Sequence, residues 1–133
     1  AYFFCDKLKK VEIPIDSKLQ VIENWSFRGT SIEKLLITSQ VIQIGEDAFY
    51  NCKLLKRVEI LNDSHLQIID KQAFLQTLIT SLIIPSQVKQ IGEKAFYYCH
   101  ILQIVEFTDK SQMEFINQKV FSNSKTIFMI PAL

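Results

Sequence analysis

Five times along the chain, apolar residues fall in the pattern L-x-x-L-x-L: LKKVEI from Leu8, IEKLLI from Ile32, LKRVEI from Leu55, ITSLII from Ile79 and LQIVEF from Leu102. A sixth copy, KTIFMI from Lys125, has lysine at the first apolar position. Apolar positions alternating with others over this length predict a strand with one buried face. The predicted buried pairs are Val11/Ile13, Leu35/Ile37, Val58/Ile60, Leu82/Ile84, Val105/Phe107 and Phe128/Ile130. A turn follows each strand, marked in three copies by Pro14, Pro85 and Pro131, because proline suits a strand's end and not its centre. A second, shorter apolar pattern comes next, predicting that Leu19/Ile22, Val41/Ile44, Leu66/Ile69, Val88/Ile91 and Met113/Ile116 point inward. The segments GEDAF and GEKAF then start a short turn or helical stretch that plants an aromatic ring in the core.

That aromatic recurs as Tyr2, Phe27, Phe49, Phe74, Phe96 and Phe121, at separations of 25, 22, 25, 22 and 25 residues. The strict period is therefore 47, one long and one short unit, and DSKLQVI, DSHLQII and KSQMEFI repeat at the same interval. A fixed period in this range means a stacked repeat protein. One unit cannot bury its own apolar face. Stacked units share a continuous parallel sheet and a continuous core. Gly45 and Gly92 align with Glu23, Asp70 and Asn117. That set predicts a left-handed backbone there, free for glycine and tolerable for Asn or Asp.

The length of 133 residues fits a single array, 1–133, of about six units. The chain opens inside one unit and stops inside another, so we expect a piece of a longer array with both ends uncapped. A net charge of +1 disfavours nucleic acid or an anionic membrane as an electrostatic partner. Apolar runs last only a few residues, against the roughly 20 needed to span a bilayer, so no membrane insertion by this segment is expected.

The strand motif, the Pro-marked turn and the phrase V-x-x-I-G-x-x-A-F-x-x-C-x-x-L together resemble the BspA-like leucine-rich repeats. Residues 41–55 and 88–102 carry the phrase most closely, and the resemblance covers essentially the whole chain. Departures are Trp25–Ser26 and Val120 around the aromatic marker, and Lys125 at a core position. The resemblance implies a leucine-rich repeat solenoid, a right-handed superhelix with a parallel β-sheet face and short helical or turn segments opposite. It further implies surface or secreted proteins of host-associated bacteria and parasitic protists, with roles in adhesion and host contact.

Candidate chemistry is sparse. Cys5, Cys52 and Cys99 lie 47 apart, and Thr30, Thr77 and Ser124 occupy the same slot in the intervening units. Alternate units sit about 10 Å apart, beyond the Cα separation of about 7 Å that a disulfide tolerates, so these thiols are expected to be free structural residues. His65 aligns with Lys18 and Gln112, and His100 with Asp6 and Lys53, which marks exposed connectors and not ligands. Carboxylates such as Glu46–Asp47, Glu12 and Glu59 recur, as solvated surface positions do. No Gly-rich phosphate loop, nucleophile elbow or HExxH is present, so no catalytic residue, cofactor or metal is expected. Two N-x-S triplets occur, at Asn24 and Asn62, the second in a long connector with room for a glycan. The aromatics Phe3, Tyr50 and Tyr97, with Phe4 and Tyr98 beside them, are expected to pack on the helical side.

What remains is the outward side of the strand sheet. Its two rows are Lys10, Lys34, Arg57, Ser81, Ile104, Ile127 and Glu12, Leu36, Glu59, Ile83, Glu106, Met129. They run from charged to apolar, and clustered exposed apolar residues mark contact surfaces. Two functional classes fit: a surface or secreted protein-binding and adhesion module, or an intracellular scaffold segment with no external ligand. The apolar last strand, IFMIPAL, adds an expectation of self-association through the C-terminal unit.

Overall fold

A computed structural model of the chain describes residues 7–109, 118–121 and 126–129. Each repeat lays down a long strand, a short strand and a tight turn carrying the aromatic. The long strands are β2 (Lys34–Ile37), β4 (Arg57–Ile60), β6 (Ser81–Ile84), β8 (Ile104–Phe107) and β9 (Ile127–Met129). The short ones are β1 (Val21–Ile22), β3 (Gln43–Ile44), β5 (Ile68–Ile69) and β7 (Gln90–Ile91). All pairing is parallel. The short strands form one sheet in the order β1-β3-β5-β7, and the long strands form two, β2-β4 and β6-β8-β9. Every crossover returns the chain one step along the stack, as a solenoid requires.

The alternation read from sequence is the alternation observed. Leu35, Ile37, Val58, Ile60, Leu82, Ile84, Val105 and Phe107 are buried, while Lys34, Arg57, Glu59, Ser81, Ile83, Ile104 and Glu106 face outward. Ile22, Ile44, Ile69 and Ile91 of the short strands close the core from the other side, with Val41, Leu66 and Val88 beside them. The aromatics form a column: Phe27, Phe49, Phe74, Phe96 and Phe121 stack in sequence, centroids 5.2–5.5 Å apart and planes within 10° of parallel. A small residue precedes each of the first four rings (Ser26, Ala48, Ala73, Ala95), and all four are buried; Val120, also buried, precedes the fifth.

The aromatic segment is a turn and not a helix. Among the described residues the only helical element is a single 3-10 turn, Gln118–Val120. Each turn donates to the next unit at every second residue: Trp25, Phe27 and Gly29 bond to the carbonyls of Glu46, Ala48 and Tyr50 at 2.8–2.9 Å, and later turns repeat this. Two residues per turn adopt positive φ. They are Trp25, Asp47, Gln72 and Lys94 at the first site, and Gly29, Asn51, Gln76 and Tyr98 at the second, with φ of 56–72°. The left-handed backbone thus lies two and six residues after Gly45 and Gly92, not at those glycines. Their requirement is closeness: a Cβ on Gly92 would sit 2.4 Å from the Lys71 nitrogen, and one on Gly45 2.7 Å from the Asn24 nitrogen.

Several expected core residues differ. Val11 and Ile13 are half-buried and belong to no strand, and Leu19 is exposed. These residues lie in the first described unit, which has a described neighbour on one side only. Phe128 is 39% exposed although its ring meets Phe107 and Phe121. Tyr2, Phe3, Phe4, Cys5, Asp6, Gln112, Met113, Ile116, Asn117, Ser124, Lys125, Ile130 and Pro131 lie outside the described residues.

The long-strand face is interrupted between β4 and β6. Paired residues in the intact ladders are 23 apart in sequence, as in Lys34↔Arg57, Ser81↔Ile104 and Ile104↔Ile127. Arg57 and Ser81 are 24 apart. The Leu78 amide still reaches the Leu55 carbonyl at 2.9 Å, 23 residues back, so the extra residue enters just before β6 and the ladder lapses. Lys10 to Lys34 is the same long step, which is why the first copy forms no strand. In a parallel strand, alternate residues present both backbone groups to opposite neighbours. Since the Ile104 amide bonds Thr80, the amides of Leu82 and Ile84 face β8, whereas those of Ser81 and Ile83 face the seam. Hydrogen exchange should therefore show an alternating pattern in β6, with Leu82 and Ile84 protected and Ser81 and Ile83 fast. Equal protection of all four would mean that the seam is closed.

Candidate functional site

The outward rows of the long strands bring the sequence-selected residues onto one surface. Ladder register sets Lys34 beside Arg57 and Leu36 beside Glu59, then Ser81 beside Ile104 and Ile83 beside Glu106. Backbone register continues the rows to Ile127 and Met129 in β9. Lys10 and Glu12 lead into the face, joined by an ion pair of 2.9 Å with both side chains exposed. Each pulls the other in the expected direction: the mutual hydrogen bond raises the Lys10 pKa and lowers that of Glu12. In water such a pair contributes little to stability.

Two open hollows lie on this face. One of about 670 Å³ is lined by Lys10, Glu12, Lys34, Leu36, Arg57 and Glu59. The other, about 750 Å³, follows the seam between β4 and β6, with Leu61 and Asn62 at one end and Ile83 along its wall. Ile83 is 51% and Ile104 38% exposed, so the apolar part of the face is open to solvent.

The remaining candidates resolve as structural. Cys52 and Cys99 are buried and free. Each thiol donates to the carbonyl of an aromatic in the preceding unit, Cys52 to Phe27 at 3.0 Å and Cys99 to Phe74 at 3.1 Å. The Thr30 and Thr77 hydroxyls lie 3.5 and 3.2 Å from the respective sulfurs. One polar slot, filled alternately by Thr and Cys, thus bonds across these two interfaces. Burial raises both thiol pKa values, so the thiolate that reacts with electrophiles is scarce. Thiol titration of the native protein with Ellman's reagent should leave Cys52 and Cys99 unmodified until urea is added; rapid native modification of both would contradict the slot.

His65 and His100 are exposed, each with Nδ1 at a backbone carbonyl, Ser39 at 2.9 Å and Tyr98 at 3.3 Å. No group of His, Cys, Asp or Glu suited to a metal ion occurs among the described residues. Asn24 uses its side-chain oxygen to accept the Glu46 amide at 2.9 Å, and Ser26 and Ser64 of the two N-x-S triplets are buried.

One cluster departs from the sequence expectation. Asp47, read as a solvated carboxylate, is 5% exposed. Arg28 approaches it at 3.4 Å and lies between two rings, 4.8 Å from the Trp25 centroid and 4.4 Å from that of Tyr50. Burial raises the Asp47 pKa, and the guanidinium opposes that shift without cancelling it. Asp47 holds positive φ on its turn, a feature its neighbours in sequence do not signal. The tyrosines expected on a helical side sit on these turns instead, with Tyr97 and Tyr98 edge to face at 4.6 Å and Tyr98 58% exposed.

The model of the BspA type leucine rich repeat region matches residues 1–128 in 6 copies. Among solved structures the chain is similar to the pneumococcal vaccine antigen PcpA, with 27% identity and a TM-score of 0.66, over 68% of this chain and 23% of that one. It shares the fold of a leucine rich cell surface protein from Faecalibacterium prausnitzii A2-165, at 21% identity and a TM-score of 0.62, over 80% of this chain and 35% of that one. The chain thus spans well under half the length of either. Comparison with curated proteins yields no match. With six copies matched over nearly its whole length, the chain belongs to the BspA type leucine-rich repeat family.

Proposed function

We propose that this chain is a non-enzymatic recognition module that binds another macromolecule through its long-strand face, within a longer array exposed on a cell surface or secreted. The leucine-rich repeat fold is generally a protein-interaction fold, which fits a binding role. The observation that carries the choice of face is the open apolar pair Ile83 and Ile104, set among the outward residues of four strands and flanked by charge. A solvent-exposed apolar patch rimmed by polar groups is what an interaction surface presents. The cell-surface reading draws on the names of the two similar proteins, an antigen and a cell surface protein. Adhesion to host or matrix macromolecules is the use we assign to it.

The test is capture from host-cell and matrix extracts by immobilised protein, in parallel with a variant carrying Ile83→Lys and Ile104→Lys. The same captured species should be lost with that variant and retained with Tyr98→Lys, which changes the turn side. Retention by the strand-face variant would overturn the choice of face. Antibody labelling of intact source cells tests location, and labelling only after permeabilisation would favour the intracellular scaffold.

A further inference from the structure

We infer that the hollow around Lys34, Leu36 and Arg57 receives an acidic side chain of an extended partner polypeptide, whose following aliphatic residues cover Ile83 and Ile104. The inference rests on the long-strand face being the binding surface, and it names the chemistry of the partner. It begins from a charge imbalance. On the unit before β2 the outward pair is Lys10 with Glu12, and on β4 it is Arg57 with Glu59; on β2 it is Lys34 with Leu36. Lys10 is satisfied by Glu12 at 2.9 Å. Lys34 has no carboxylate on its own strand, only Glu12 of the preceding unit, already paired with Lys10, within electrostatic reach, and its ladder partner is a second cation, Arg57. Neither has an ion pair among the described residues. Ladder partners lie about 4.8 Å apart, and like charges placed directly opposite destabilise a sheet.

The hollow these residues line therefore holds three cations and two carboxylates, one positive charge in excess, with Leu35, Leu36, Val11, Ile13 and Pro14 as apolar lining. A single carboxylate placed between Lys34 and Arg57 balances it. A doubly charged phosphate or sulfated sugar fits less well, because Glu12 and Glu59 flank the same space. Apolar lining beside the charge favours an amino-acid side chain over a small inorganic anion.

The direction of the partner follows from the rest of the face. Beyond β4 the outward residues are Ser81, Ile83, Ile104 and Glu106, and Ile83 and Ile104 are the exposed apolar ones. Ile104 lies two strands beyond Arg57 on the same row, about 10 Å away, and Ile83 lies one strand beyond and two residues along, about 8 Å away on the diagonal. An extended chain advances about 3.3 Å per residue and shows every second side chain to the same face. A segment crossing the strands along the stack would thus carry its acidic residue first and aliphatic residues two and four positions later. Acid and aliphatic side chains then meet the cationic and apolar parts of one surface in the order the repeats present them.

The probe is a synthetic peptide blocked at both ends, Ser-Glu-Ser-Ile-Ser-Ile-Ser, titrated into nitrogen-15 labelled protein. Blocking removes the terminal carboxylate, so any charge effect belongs to the glutamate. Expected are millimolar binding, on the order of 4 kcal/mol, and shifts in the amides of β2, β4, β6 and β8. Replacing Glu by Gln in the peptide should weaken binding by about tenfold or more, since a hydrogen bond to a charged group is the strong contact here. The decisive protein variant is Leu36→Glu, which restores the Lys/Glu pattern of the neighbouring units, removes neither cation and exchanges one apolar lining residue for a carboxylate; Leu36→Gln makes the same exchange without the charge. Leu36→Glu should abolish the Glu/Gln difference, whereas Leu36→Gln should keep it.

Equal binding of the Glu and Gln peptides, or a Leu36→Glu variant that binds like the wild type, would overturn the carboxylate assignment. If the shifts nevertheless fall on β2 to β8 and vanish with Ile83→Lys, the strand face stands as the binding surface and only its charge chemistry is wrong. Shifts confined to the turn side would remove both. No shift with any peptide overturns the present inference, while the choice of face is decided separately by the capture experiment. A version with a blocked N-terminus, a free C-terminal carboxylate and no glutamate reports whether a chain end is bound in place of an acidic side chain; tighter binding of that peptide would reassign the hollow to a C-terminus.

Discussion

Phe74→Ala is expected to destabilise the protein by about 3–5 kcal/mol, the range for deleting a buried aromatic side chain. Phe74 is 1% exposed and sits mid-column, with Phe49 at 5.2 Å and Phe96 at 5.4 Å. Truncation opens a ring-sized void in an interior that can collapse little, because the rings above and below are each held by their own turns. The two lost stacking contacts add to the lost burial, at roughly 0.5–1.5 kcal/mol per pair. Since folded domains are stable by only about 5–15 kcal/mol, one such change removes a large share. Urea unfolding measures it, and a loss below about 1 kcal/mol at both Phe49 and Phe74 would mean that the column is not the core.

The seam adds a second expectation for the same variant. A repeat array is stabilised by its units and by the interfaces between neighbours. Across the seam, β4 and β6 share no ladder, so the backbone bonds of the interface are the Leu78–Leu55 bond, the two-residue pairing of β5 with β7 and the turn bonds, beside the Phe74–Phe96 stack. Removing Phe74 weakens an interface that is already thin. Phe49→Ala leaves the seam untouched, with β2 and β4 fully paired beside it. Phe74→Ala should therefore broaden the unfolding transition, with a smaller urea dependence, whereas Phe49→Ala should lower the midpoint at unchanged slope.

The extent to which this structure was legible in the sequence follows from which forces act within one unit and which between units. Leu82 and Ile84 could be placed because a half-buried strand writes its two-residue period into the chain. The column from Phe27 to Phe121 could be placed because the repeat period carries it. Trp25, Gln72 and Lys94 could not be assigned positive φ, since no residue type among them prefers it at a cost of about 1–2 kcal/mol. The bonds from each turn to the next unit impose that conformation, and they exist only after stacking. The seam was hidden for a related reason. One residue more between Arg57 and Ser81 than between Lys34 and Arg57 disappears inside a 47-residue period. Asp47 looked solvated beside Glu46, and only the fold brings Arg28 to it from the preceding unit. On the long-strand face, the change from charged to apolar was readable strand by strand. That Lys34 stands against Arg57, with leucine where its neighbours carry glutamate, acquires meaning only from the ladder register.

Gly92→Ala separates two accounts of the repeated glycine, because they demand opposite signs. Where an alanine can adopt the native backbone without strain, replacing glycine stabilises by about 0.4–1 kcal/mol, since the unfolded chain loses freedom. Gly92 has no positive φ, so on conformation alone the substitution should help. Space argues the reverse. The new Cβ would lie 2.4 Å from the Lys71 nitrogen and 2.7 Å from the Asp70 carbonyl carbon and the Lys71 Cα. All three are backbone atoms, and the Gly92 amide is bonded to Ile69 at 2.8 Å in the same contact, so neither chain can retreat without loosening the β5–β7 junction. Overpacking of this kind costs about 1–3 kcal/mol, which outweighs the entropic gain. Gly45→Ala should also destabilise, since its Cβ would meet the Asn24 backbone and crowd the side-chain oxygen that accepts the Glu46 amide. The paired variant is Lys94→Gly, at the residue that does hold positive φ, 60°. It should cost nothing or stabilise, because glycine carries no steric penalty in that region. Urea unfolding of the three variants reads the signs directly. Stabilisation by Gly92→Ala together with destabilisation by Lys94→Gly would return the left-handed site to the glycine and break the contact between units described here.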